Sequence, residues 1–162
     1  MAKAARPVPE GHQTIVPYLK VHGAAEAIDF YLRAFGGQVL RRLTGVNGLV
    51  LHAELKIGDS VLYLSDEFGG EDGCAAPPGT ATGCIIHLNV SDADLVWRSA
   101  LGAGAVPLMP LADMFWGDRY GQFRDPFGHV WSVSTHKEDL TSEEIVKRSE
   151  AFLAAMAEHH KS

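Results

Sequence analysis

Apolar and polar positions alternate in two rhythms along this chain, and the rhythms recur in the same order twice. Residues 14–21 are apolar and rich in β-formers and predict a strand. Residues 24–35 then place Ala27, Ile28, Tyr31, Leu32 and Phe35 on one helical stripe, closed by Gly36 and Gly37. Strand-like runs follow at 38–44, 49–57 and 60–65, the last two joined by a tight Gly58-Asp59 turn. After a Gly/Pro-rich stretch the grammar returns. A strand over 84–90 leads into a helix with Ser91 as its expected N-cap and Ala93, Val96, Trp97 and Ala100 as its buried stripe. Strands at 105–108, 120–124 and 130–136 complete the second copy, the last pair joined by Asp125-Pro126-Phe127-Gly128.

The copies align residue by residue. Leu19-x-Val21 matches Leu88-x-Val90, and the run from Gly58 to Ser65 parallels that from Gly128 to Ser134. Such self-similarity predicts two β-α-β-β-β modules. The expected organisation is a flexible tail over 1–12, a first module over 13–66, a linker over 67–82 and a second module over 83–137. Outside the repeat, Thr141-Ser142-Glu143-Glu144 is a capping box that opens a C-terminal helix over 141–160. Pairs of Glu143 with Lys147 and Glu144 with Arg148 are expected along it. Its stripe of Ile145, Phe152, Leu153 and Met156 suits a place across the domain or against a partner subunit.

Composition narrows the class. A chain of 162 residues with 46% hydrophobic and 21% charged residues fits one globular α+β domain. No apolar run approaches the roughly 18 residues of a bilayer span, and the N-terminus lacks the apolar core of a secretory signal. A cytoplasmic protein without membrane partners is expected. The net charge of −6, with no Lys/Arg cluster, argues against nucleic acid. Cys74 and Cys84 are expected as thiols, since two cysteines make no disulfide framework.

Three stretches carry a family likeness: Val16-Pro17-Tyr18-Leu19 with Ala27-Ile28-Asp29-Phe30-Tyr31; His52-Ala53-Glu54-Leu55; and Phe115-Trp116-Gly117-Asp118-Arg119-Tyr120-Gly121 running into Arg124-Asp125-Pro126-Phe127-Gly128-His129-Val130-Trp131. They resemble the vicinal oxygen chelate superfamily of glyoxalase I, extradiol dioxygenases and the fosfomycin and bleomycin resistance proteins, and in particular its PhnB-like branch. The resemblance implies two tandem modules forming a cupped mixed β-sheet around a site that usually holds a divalent metal. Its ligand positions fall here on Val16, Tyr63, Ile85 and Ser132. Two aliphatic chains and two neutral hydroxyls are poor donors, so neither a metal nor another cofactor is expected.

Strand alternation lines the implied cup with Val16, Tyr18, Tyr63, Ile85, His87, Ser132 and Ser134. That lining suits an aromatic or apolar ligand, or else simply fills the cup as core. His87 is the cup residue able to titrate near neutrality, as a general base or as a hydrogen-bonded lining residue. His52 and Glu54 share a strand face and, with His87 or His136, form an alternative metal set; His129 reads as structural. Phe115, Trp116, Arg119, Tyr120 and Phe123 read as a lid whose guanidinium meets an acidic ligand. Equally, Asp113 or Asp118 holds Arg119 in an ion pair and Trp116 lies at a dimer seam. The leading expectation is a metal-free, homodimeric small-molecule binder. An enzyme using displaced ligands or His87/Tyr63 acid-base chemistry, and a dimeric scaffold, are the alternatives.

Overall fold

The computed structural model describes residues 7–69, 75 and 83–159. Most of the expected linker, Cys74 included, lies outside the described residues. The first module runs β1 (Tyr18–Val21), α1 (Ala24–Phe35), β2 (Gly37–Thr44), β3 (Val50–Ile57) and β4 (Ser60–Asp66). The second runs β5 (Ile85–Asn89), α2 (Ala93–Gly102), β6 (Val106–Asp113), β7 (Asp118–Arg124) and β8 (Val130–His136), and α3 (Ser142–His159) follows. Each module forms its own four-stranded mixed sheet, ordered β1-β4-β3-β2 and β5-β8-β7-β6. The repeat register holds in the pairing. Tyr18 lies opposite Tyr63 in one parallel pair, and His87 lies opposite Ser132 in the other.

The expected strand over 14–21 is shorter than its apolar run. Pro17 has no N–H for the ladder, so pairing starts at Tyr18, although the Pro17 carbonyl still accepts from Tyr63 N at 2.9 Å. Strand β6 is longer than expected, because register shifts on either side of Met109 let the ladder pass Pro110.

Helix α1 has no capping side chain of its own. Asp66, at the end of β4, supplies the cap from a distance. Its Oδ1 accepts from Gly23 N and Ala24 N at 3.1 and 2.8 Å, and its Oδ2 from Val50 N at 2.7 Å. Helix α2 is capped by Asp92 rather than by Ser91, as Asp92 Oδ1 accepts from Leu95 N at 2.9 Å. The capping box of α3 forms as expected, with Glu144 N donating to Thr141 Oγ1 and Thr141 N to Glu144 Oε2. Arg148 turns instead to Glu138, 2.8 Å away, and not to Glu144.

One buried cluster spans both modules. Val21, Tyr31, Leu55 and Leu64 from the first meet Phe123, Trp131 and Val133 from the second, so the modules share a core. Each such side chain contributes about 1.5–3 kcal/mol on burial. Gly121 is required where β7 passes under α2, since a Cβ there would lie 2.8 Å from Trp97 Cζ3 and 3.0 Å from Leu111 Cα. Among the described residues no helix is long and apolar enough to cross a membrane.

Candidate functional site

Strand alternation divides each sheet between this core and an open face. In the first sheet Leu19, Leu64 and Leu55 point to the helix side, so Tyr18, Tyr63, Glu54 and His52 share the other face. The Tyr18 hydroxyl lies 3.1 Å from His52 Nδ1, and His52 Nε2 lies 3.3 Å from Glu54 Oε1. Tyr63 packs edge-on against His52, with centroids 4.9 Å apart. His12 also belongs here, 3.3 Å from Glu54 Oε2 and 5.8 Å from the Tyr63 ring, so the expected tail is anchored at its last residue. Val16 lies before β1 and is not a strand position.

In the second sheet Trp131, Val133 and Phe123 face the core, which puts Ile85, His87, Ser132, Ser134 and Tyr120 on the open side. Ser132 donates to His87 Nδ1 at 2.7 Å. His87 Nε2 lies 3.1 Å from Asn89 Oδ1, an acceptor that assigns the ring proton to Nε2. Ser134 also bonds Asn89 Oδ1, at 3.2 Å. Both nitrogens of His87 are thus engaged by its own sheet. Its ring stacks with Tyr120 at 5.9 Å, and Trp116 meets Tyr120 edge-on at 5.4 Å. The Trp116 indole is fixed by donation to Asp118 Oδ2 at 3.1 Å.

The aromatic and arginine cluster read as one lid separates by strand parity. Arg119 and Phe123 lie on the helix side of β7, opposite to Tyr120. Arg119 forms a two-pronged pair with Asp94 of α2, at 2.6 and 2.7 Å, and a third bond to Asp113 at 3.2 Å. The ion-pair alternative therefore describes Arg119, with Asp94 as the partner the sequence reading missed and Asp118 given over to Trp116 and His136. These bonds raise the guanidinium pKa further and lower that of the Asp94 carboxyl. Phe115 packs against Phe152 of α3, centroids 5.2 Å apart.

The positions that the resemblance implies for a metal do not fit an ion. Val16 and Ile85 have no donor, Ser132 is committed to His87, and Tyr63 would bring only a phenol oxygen. The alternative set does not assemble either. His52 and Glu54 lie on the first sheet, His87 on the second, and His136 is held by Asp118 and Asp139 at 2.8 and 2.9 Å. Among the described residues no group of three or more His, Cys, Asp or Glu is arranged to hold a metal.

Within one chain the two open faces do not meet, and no hydrogen bond, ion pair or ring contact joins them among the described residues. Instead a groove of about 600 Å³ runs along the seam of the modules, walled by Ile15, Pro17, Ile57, Ile86, Leu88 and Trp131. Of the expected site residues only His87 borders it. The groove mixes these apolar walls with polar Gln13, Asp59, Ser60, Asn89, Ser91 and Asp92, whereas Tyr18, Tyr63, Tyr120 and Trp116 lie on the faces.

Tandem modules of this topology, each with an open sheet face, define a class of paired-module proteins. The model of the Glyoxalase/Bleomycin resistance protein/Dioxygenase superfamily matches residues 15–133, and the chain belongs to that superfamily. The uncharacterized protein Mb0911c of Mycobacterium bovis is 40% identical over 132 residues, covering 80% of this chain and 87% of that protein. The crystal structure of TioX from Micromonospora sp. ML1 is similar with a TM-score of 0.62 and 27% identity, over 76% of this chain and 98% of that chain. The PhnB protein of Bacillus cereus shares the fold, with a TM-score of 0.62 at 19% identity over 76% of this chain and 99% of that one.

Proposed function

We propose that this protein captures an aromatic or apolar small molecule without a metal ion, as a cytoplasmic homodimer. The first face of one protomer is set opposite the second face of its partner. The observation that carries this reading is the exposure of two ring-bearing faces left open by their own chain: Tyr18 is 47% and Ile85 48% exposed. Tyr18, Tyr63, Tyr120 and Trp116 supply stacking surfaces, and the mutually bonded His87, Ser132 and Ser134 form a fixed polar floor beside them. A scaffold with faces filled by their own side chains would not leave Tyr18 so exposed, with Tyr63, Tyr120 and Trp116 only half-buried. The superfamily includes resistance proteins as well as enzymes, and sequestration of a harmful compound is the use we assign.

The test is complementation. Tyr18→Ala and Trp116→Ala each damage both shared sites of a homodimer, whereas a mixed dimer carries one site with both faces intact. Recovery of ligand-induced tryptophan quenching on mixing the two variants is expected. Absence of recovery, with both variants dimeric, would contradict the shared site.

A further inference from the structure

On the first face a line of hydrogen bonds runs inward from solvent to a buried carboxylate. Tyr18 is 47% exposed and Glu54 8%. Between them His52 lies 3.1 Å from the Tyr18 hydroxyl through Nδ1 and 3.3 Å from Glu54 Oε1 through Nε2. An ionised carboxylate only accepts, so it fixes the imidazole proton on Nε2 and leaves the Nδ1 lone pair to accept from Tyr18. Every donor in the line therefore points toward Glu54. Hydroxyl, imidazole and carboxylate in that order activate a hydroxyl as a base, an arrangement identified by geometry and roles rather than by sequence position.

The surroundings hold the line in place. His12 Nε2 lies 3.3 Å from Glu54 Oε2 while its Nδ1 donates to the Glu10 carbonyl at 3.1 Å, and Arg41 Nε lies 3.6 Å from Oε1. Tyr63 packs edge-on to both His52 and Tyr18. Lys20 Nζ donates to Ser65 and lies 4.9 Å from the Tyr18 ring centroid, a cation–π contact that steadies the ring.

We propose that Tyr18, His52 and Glu54 form a proton relay that takes the proton of an acidic hydroxyl on an sp² carbon, so that the ligand is a phenol or enol bound as its anion. This rests on the binding reading above and adds the ligand class. The ligand O–H bond breaks and its electron pair stays on the ligand oxygen. The proton passes to Tyr18 Oη, and the Tyr18 proton moves to His52 Nδ1. The resulting imidazolium is held by the Glu54 carboxylate. No further reactant is consumed, and the transfer reverses on release.

The probe is 4-nitrophenol, whose anion is distinguished by its visible absorbance; equilibrium dialysis measures binding independently. Below the probe's own pKa, the bound probe is expected to be at least about tenfold more ionised than the free probe, a shift of about one pKa unit. His52→Gln and Glu54→Gln remove that excess while dialysis still records binding. Tyr18→Phe, which alters only an exposed hydroxyl and keeps the ring, does the same and guards against misfolding of the buried Glu54 variant. A probe that binds un-ionised, or variants that keep the full excess, overturns the relay and leaves the binding reading standing. If neither the probe nor any compound of an aromatic panel binds, both fall.

Discussion

Tyr31 of α1 donates its hydroxyl to Asp125 Oδ2 across 2.7 Å, tying the first module's helix to the turn before β8 in the second. The same carboxylate receives Trp131 Nε1 at 2.8 Å through Oδ2, and Phe127 N and His129 N at 2.9 Å through Oδ1. Burial, followed by the charge of Asp125, holds the Tyr31 phenol well above its ordinary pKa, so it serves as a permanent donor.

Removing one donor should cost far less than removing the acceptor. Tyr31→Phe leaves Asp125 with three partners and is expected to lower stability by about 1–2 kcal/mol. Asp125→Ala orphans four donors, two of them buried and two half-buried, and should cost upwards of about 3 kcal/mol. Urea unfolding of both variants checks the ordering.

Asp66 is the distant cap of α1, and Asp66→Ala deprives Gly23 N, Ala24 N and Val50 N of their acceptor. A loss of about 2 kcal/mol is expected, with early amide exchange at the start of α1. Asp66→Asn keeps an acceptor oxygen and should recover part of that loss.

The division of β7 by parity separates two neighbours. Trp116→Ala and Tyr120→Ala should weaken ligand binding about tenfold, near 1.4 kcal/mol, by removing a stacking surface. Arg119→Ala should leave affinity unchanged, because its guanidinium is spent on Asp94 and Asp113. Isothermal titration of the three variants decides this.

Stability should decline on mild acidification through His129. Burial pushes this imidazole below its ordinary value of 6.5, against a smaller upward pull from Asp125. The unfolded chain takes up a proton near that ordinary value while the folded chain does not, so folding is disfavoured as pH falls through about 6.5. His136 has the opposite sign: Asp139 and Asp118 raise its pKa, and its contribution fades as pH rises, but it is fully exposed and its surface pairs count for little. His129→Gln should flatten the acid-side slope of the melting temperature.

The repeat was legible from the matching segments, and each strand's alternation showed which residues share a face, whereas the pairing of Tyr18 with Tyr63 and of His87 with Ser132 is set by the sheet. Closeness in sequence misled where it cut across that parity, as with Arg119 beside Tyr120. Contacts between distant segments carried no local signal. Asp66 capping α1, Asp94 holding Arg119 and His12 reaching Glu54 depend on how elements pack. Pro17 did carry a signal, since its missing N–H marks where β1 can begin. Within a single chain nothing in the alternation fixes whether the two open faces meet.

The most direct test is titration of an aromatic ligand into protein stripped of metal by a chelator. Saturable binding equal to that of untreated protein, lost in Tyr18→Ala, is the expected result. Binding that appears only after a divalent ion is restored, or that ignores Tyr18→Ala, would contradict recognition by the open faces alone.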